Sequence, residues 1–226
     1  MPQLVAATVG DNCIDRYLPL HRSTVGGNAV NVAVHLALRG WQTGYFGAVG
    51  DDPEGQQVIA ALRGNGVETG FVRVRPGLRT GTTDITFGPG SERIIGHEEL
   101  GACADYRPDA EEIARLGRLR HVHIGWLDDG GAVKRAIAAA GADVSQDLSV
   151  TSPAAGRTPD GLAVAFASAG PSLAEGEALA ARLVAGGARM AVVTCGAAGS
   201  VATDGSVAAR MDVRPVEVVD TLGAGD

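Results

Sequence analysis

The alternation along this chain predicts an α/β fold, with a mainly parallel sheet flanked by helices. Short runs rich in β-branched and small apolar residues alternate with longer Ala- and Leu-rich stretches of helical period. One central segment breaks that alternation. "TGTTDITFGPGSERIIGHE" has two Thr/Ile-rich runs joined by Gly-Pro-Gly, the pattern of a β-hairpin. This hairpin, about residues 80–97, is expected to project as a small β lid.

Taken in order, "LVAATVG" reads as a buried first strand, and "GGNAVNVAVHLALRG" as a helix opened by glycines and closed by Gly40. "TGYFGAVG" is a second strand. "PEGQQVIAALRGNG" is a helix with Pro53 in its first turn, where no intrahelical partner is lost. "FVRVR" places polar residues at alternate positions of a strand. Beyond the lid come "DAEEIARLGRL" as helix, "RHVHIGW" as strand, "GAVKRAIAAAG" as helix, and "ADVSQDLS" and "GLAVAFAS" as strands. "SLAEGEALAARLVAGG" is a helix and "RMAVVTCG" another buried strand. "GSVATDGSVAARMD" reads as a hairpin turning at Asp204-Gly205. No fixed-period repeat or linker interrupts the pattern, so residues 1–226 are read as a single domain.

At 226 residues the chain can bury a sizeable core without disulfides. Its three cysteines, Cys13, Cys103 and Cys195, are far apart and odd in number, which reads as free thiols in a reducing compartment and makes a cytoplasmic location the expectation. No window approaches the roughly 18 apolar residues of a membrane span, and no signal-peptide pattern opens the chain. A net charge of −7 disfavours nucleic acid as a partner. Lys134 is the sole lysine among nineteen basic residues, and Arg135 follows it, so no Walker A loop exists. A lysine Schiff base would have to use Lys134 on an ordinary-looking helix.

Four stretches carry candidate chemistry. In "STVGGNAVNVAVHLA", Gly26 and Gly27 would let a ligand approach the backbone, while Asn28 and Asn31 share one side of the first helical turn. Two amides beside two glycines suit a polyhydroxyl compound, because each amide both donates and accepts. The plain alternative is a helix start with Asn28 as N-cap. In "TCGAAGSVATDG", Gly196 and Gly199 after a buried strand could cradle a nucleotide or simply form a turn. In "HVHIG", His121 and His123 share a strand face as two metal ligands would, or His123 lines a pocket. The last seven residues, "DTLGAGD", are the most informative: the amides of Gly223, Ala224 and Gly225 can form a nest for negative charge, and Asp226 beside it could accept a hydroxyl proton. No complete GxGxxG dinucleotide fingerprint is present.

"GGNAVNVA", "GAVGDDPEGQQV" and "DTLGAGD", in that order and spacing, resemble the signatures of the ribokinase-like, PfkB family of sugar kinases across essentially the whole chain. Within the family, "GDNCID", "GGNAVNVAV" and "AFAS" are similar to members acting on a glycated amino acid. The resemblance implies a three-layer α/β/α body with a doubly wound sheet, a β lid over the sugar, ATP and Mg2+ as cofactors, and phosphorylation of a primary hydroxyl on a small sugar or glycated amino acid. It also implies a homodimer pairing through the lid. Asp226 matches the general base and Gly223, Ala224 and Gly225 the anion hole. Asp15, Gly26, Gly27, Asn28 and Asn31 match sugar-binding positions, and the turn from Thr194 through Gly196 to Gly199 a nucleotide-binding one.

Two departures stand out. Where many relatives have NxxE, linked to magnesium and phosphate, this chain has Ser168, Ala169, Gly170 and Pro171, so the metal ligands are unassigned. Relatives also continue past the GAGD turn, so residues 1–226 alone are expected to be inactive as a kinase. The rivals are another sugar or nucleoside specificity within the family and a sugar-binding or regulatory protein without catalysis.

Overall fold

The computed structural model describes residues 4–88, 93–149 and 154–214. In chain order its elements are β1 (Ala6–Val9), β2 (Cys13–Tyr17), β3 (Arg22–Gly26), α1 (Asn28–Leu38), β4 (Thr43–Gly50), α2 (Pro53–Gly64), β5 (Val72–Arg75), β6 (Thr80–Phe87) and β7 (Arg93–Gly101). They continue as α3 (Ala110–Leu116), β8 (His121–Ile124), α4 (Ala132–Ala139), β9 (Asp143–Asp147), β10 (Val164–Ser168), α5 (Leu173–Ala185), β11 (Ala191–Thr194), β12 (Ser200–Thr203) and β13 (Ala208–Met211).

A nine-stranded sheet runs β13-β12-β11-β10-β9-β8-β1-β4-β5. From β5 through β11 the pairings are parallel, and β12 and β13 close one edge antiparallel. Every residue of β1 and β4 is buried, which is why both read as continuous apolar runs rather than alternating ones: a parallel sheet is covered on both faces. Successive side chains divide between the two faces. Tyr45 and Val49 pack with Ala29, Val30 and Ala33 of α1 and with Val58 and Leu62 of α2. Ala7, Val9, Phe46 and Ala48 pack on the opposite side, in the cluster that includes Leu116 of α3, Ile137 of α4 and Ala180 of α5. The result is a three-layer α/β/α body.

The chain moves outward from β1 to β4 and β5, then returns to the other side of β1 for β8 and continues away. Strand β1 is therefore the point where the winding reverses. In open α/β sheets a crevice opens there, beyond the carboxyl ends of the strands.

A separate four-stranded sheet, β3-β2-β6-β7, forms the lid. The hairpin read from the sequence supplies half of it, with β6 and β7 paired antiparallel. The other half, β2 and β3, comes from the segment between β1 and α1, and β2 pairs parallel with β6. The sequence reading missed these two strands. Each has only five residues, β2 carries Asp15 and Arg16 side by side, and Pro19 sits in the turn between them, so neither presents a clear period of two. Part of the Gly-Pro-Gly turn lies outside the described residues.

Candidate functional site

Beyond the carboxyl end of β1 the chain passes through Gly10, Asp11 and Asn12 before entering the lid. The carboxylate of Asp11 accepts the backbone N–H groups of Asn28 at 2.7 Å, Ala29 at 3.3 Å and Trp126 at 2.8 Å. It thus caps α1 from a distance and ties that helix start to the end of β8. Burial raises the Asp11 pKa above the usual carboxylate value, while those N–H groups pull it back. Asn28 is accordingly not the N-cap. Gly27 occupies the cap position at φ 105° without a side-chain cap, and Asn28 is the first helical residue.

The paired glycines have distinct jobs. A Cβ on Gly27 would lie 2.7 Å from the Cα of Asn12, so only glycine lets the helix start touch the strand end at this positive φ. A Cβ on Gly26 would lie 2.0 Å from Oδ2 of Asp15. The Asp15 carboxylate therefore lies across Gly26, nearly buried, and accepts the Cys13 thiol at 3.2 Å. The thiol's pKa is raised well above its usual value, by burial first and then by the Asp15 charge. The structure brings Asp15, Gly26, Gly27 and Asn28 together where lid meets body, with Asn31 one turn further along α1, its N–H donating to the Gly27 carbonyl.

Under Asn28 lies a chain of polar side chains. Nε2 of His123 is 2.9 Å from Oδ1 of Asn28, Nδ1 of His123 is 2.9 Å from Oγ of Ser145, and Nε2 of His121 is 2.7 Å from that same hydroxyl. Nδ2 of Asn28 donates to Oδ2 of Asp147 at 3.4 Å. The Asp147 Oδ1 accepts from both the N–H and the hydroxyl of Ser149. Burial, with a smaller push from His121, lowers the His123 pKa to about 3, so its ring is neutral. The two histidines weighed as metal ligands instead share one serine, and among the described residues no three His, Cys, Asp or Glu side chains come close enough to hold a metal ion. Asn28, His121, His123, Ser145, Asp147 and Phe166 line a cavity of about 270 Å³ along the flank of α1.

The second glycine turn lies elsewhere on the same edge of the sheet. Thr194 ends β11, and Gly196 and Gly199 have φ of 53° and 104°. The turn closes through the Cys195 N–H donating to the Gly199 carbonyl at 2.8 Å. A Cβ on Gly199 would strike the Met211 carbonyl at 2.2 Å, whereas one on Gly196 would enter open space. Gly199 is thus a packing glycine and Gly196 the exposed one. Four strand spacings separate β1 from β11, about 19 Å.

Asp226, Gly223, Ala224 and Gly225 lie outside the described residues. The sequence reading passed over Asp11, Ser145 and Asp147. Asp11 stands beside an asparagine after a strand-ending glycine, a common turn composition, and nothing local indicates that it caps a helix seventeen residues away.

Comparison with known proteins assigns the fold and then the family. The Arabidopsis thaliana ribokinase solved with ribose and ATP superposes with a TM-score of 0.80 at 20% identity, over 100% of this chain and 83% of that one. The fold is the ribokinase-like one. The family model for pfkB family carbohydrate kinases matches residues 18–147 and 160–226. The chain belongs to this family of carbohydrate kinases. Fructoselysine 6-kinase of Shigella flexneri is 37% identical over 225 residues, covering 97% of this chain and 84% of the relative. Its Escherichia coli K12 counterpart is 36% identical over the same span. No helix among the described residues is long and apolar enough to cross a membrane.

Proposed function

We propose that this protein phosphorylates a primary hydroxyl of a glycated amino acid, fructoselysine first among them, at the expense of ATP. The observation that carries the substrate is the identity of 36–37% to two enzymes named fructoselysine 6-kinase across 97% of the chain.

The roles follow from the residue types. Asp15, Asn28 and Asn31, beside Gly26 and Gly27, bind the sugar: hydroxyl groups both donate and accept, and a carboxylate with two amides answers both. Asp226 takes the proton of the attacking hydroxyl, and the amides of Gly223, Ala224 and Gly225 stabilise the charge spreading over the transferred group. Thr194, Gly196 and the turn to Gly199 hold the nucleotide. Gly196 fits this role, because the space above it is open to a ligand. ATP supplies the phosphoryl group. Ser168, Ala169, Gly170 and Pro171 offer no carboxylate for Mg2+, and the ion would arrive bound to the phosphates of the nucleotide.

The exposed Ile94 and Ile95 on the edge strand β7 support a second copy of the chain as partner, meeting through the lid.

The test is ADP release by the full-length protein with MgATP and a panel of fructoselysine, ribose, fructose and nucleosides. Preference for fructoselysine is expected, and preference for ribose overturns the substrate. Asp226→Asn should keep sugar binding and cut turnover by roughly 10² to 10⁴. Calorimetry showing sugar binding without turnover in the wild type would favour a sugar-binding protein instead.

A further inference from the structure

The amide of Asn28 could in principle face either way, since oxygen and nitrogen are nearly the same size. The neighbours decide it. Asp147 is a pure acceptor as a carboxylate, with its other oxygen engaged by Ser149. The Asn28 atom 3.4 Å from Oδ2 of Asp147 must therefore be the nitrogen, because an oxygen there would set two acceptors against each other. Oδ1 then faces His123, whose Nε2 at 2.9 Å must carry the proton and donate it. A neutral imidazole has one N–H, so Nδ1 of His123 accepts, and the Ser145 hydroxyl at 2.9 Å donates to it. With its hydrogen committed, Ser145 Oγ accepts from Nε2 of His121 at 2.7 Å. One carboxylate thus fixes which atom donates and which accepts at each of these contacts among five side chains drawn from α1, β8 and β9.

We infer that His123, Ser145 and His121 are positioning residues that lock the Asn28 amide with its nitrogen toward Asp147, so that position 28 meets the substrate as a hydrogen-bond donor beside a carboxylate. This rests on the reading of Asn28 as a sugar-binding residue. The alternative amide, with its oxygen toward Asp147, would present two acceptors side by side and would repel the lone pairs of a hydroxyl. A hydroxyl that accepts from the Asn28 nitrogen and donates to Asp147 matches the locked pair at both ends. Asn28, Ser145 and His123 are all buried, so a flipped amide would leave mismatched donors and acceptors among side chains with little exposure, which makes the wrong orientation costly.

Histidine ¹⁵N spectroscopy on the ligand-free protein at neutral pH tests the lock directly. His123 is expected as the neutral Nε2–H tautomer with Nδ1 accepting; the Nδ1–H tautomer or an imidazolium overturns the inference. Calorimetric titration with fructoselysine and, separately, with ATP tests the consequence. His123→Leu, which fills the space without a donor, should weaken fructoselysine binding about tenfold or more, and Ser145→Ala several-fold, both with ATP affinity unchanged. His123→Gln, whose amide can still donate to Asn28, should stay within about threefold of the wild type. Thermal unfolding identifies any variant that has lost its fold, and Ser145→Ala removes only one oxygen. Wild-type affinity in a folded His123→Leu protein overturns the inference. If the wild type binds none of the sugars, the proposed substrate fails, while the tautomer still decides the orientation of Asn28.

Discussion

The Asp52 carboxylate accepts both the backbone N–H and the hydroxyl of Thr80, at 2.8 and 2.6 Å. It also accepts the Gly55 N–H at 2.9 Å as the N-cap of α2, and the Thr80 hydroxyl in turn accepts the Gly50 N–H at 3.0 Å. The start of lid strand β6 is thereby fastened to the end of β4 and to the first turn of α2. Close packing reinforces the joint, since a Cβ on Gly50 would lie 2.4 Å from the Leu78 carbonyl.

Thr80→Val keeps the shape but removes one donor and one acceptor from a buried position. It should cost about 1–2 kcal/mol of stability and speed amide exchange in β6 and β7 relative to β1 and β4. Burial alone would raise the Asp52 pKa, but the hydrogen bonds from Thr80 and Gly55 outweigh it and hold the pKa below the usual value. Its stabilisation is therefore present above the ordinary carboxylate pKa and is lost as pH falls through the lower folded one. Unchanged exchange in β6 and β7 of Thr80→Val would show that packing, not this joint, anchors the lid.

Gly26 and Gly27 should respond differently to alanine. Gly26→Ala drives a methyl into the Asp15 carboxylate, a side chain that can swing aside, so the expected loss is in sugar affinity, about tenfold, with a smaller effect on folding. Gly27→Ala meets backbone at a positive φ and cannot be relieved by a rotamer, so it should destabilise the fold by roughly 1–3 kcal/mol. Denaturant midpoints and calorimetry on the two variants separate these outcomes. Equal losses of stability would mean that Asp15 is held rigidly.

Much of this was legible in the residues, and the parts that were not have two causes. "TGYFGAVG" reads as a strand and Thr43–Gly50 is that strand, because a buried parallel strand needs an unbroken apolar run. "GGNAVNVA" marks the junction now seen to contain Asp15, Gly26, Gly27 and Asn28. Strands β2 and β3 escaped because half-polar five-residue strands have little period to detect. Asp11, Ser145 and Asp147 escaped because each acts on a residue far away in sequence: Asp11 on Asn28, Ser145 on His123, and Asp147 on Asn28 across 119 positions. Such partners are set by the order of β8, β1 and β9 in the sheet, which no local pattern carries.

Asp11→Ala should be among the most damaging changes to the fold outside the apolar core. It leaves the N–H groups of Asn28, Ala29 and Trp126 without their acceptor in a buried setting, each costing on the order of 1 kcal/mol, for a total of about 2–4 kcal/mol. Asp11→Asn retains one acceptor oxygen and should recover part of this. Urea denaturation measures both, and an Asp11→Ala protein within about 0.5 kcal/mol of the wild type would mean that water reaches those amides.

His123 should make the protein sensitive to mild acid. Its folded pKa of about 3, lowered by burial and then by His121, lies below the ordinary histidine value of about 6.5. As pH falls below about 6.5 the unfolded chain binds a proton at this residue and the folded one does not, so protons favour unfolding. Stability from this source is intact above pH 6.5 and declines by up to about 1.4 kcal/mol per pH unit toward pH 3. Between pH 7 and pH 5 the loss amounts to about 2 kcal/mol. The pKa of His121 is also lowered by burial, against the opposing charge of Asp143, and adds in the same direction. The raised pKa of Asp11 acts oppositely, and both of these remain in a His123 variant. The comparison that isolates His123 is therefore the wild type against His123→Gln, with urea denaturation at pH 7, 6 and 5. The wild type should lose about 2 kcal/mol more than the variant across that range. Parallel pH profiles would mean that the folded protein protonates His123 as readily as the unfolded chain does, and that the imidazole is not sealed between Asn28 and Ser145.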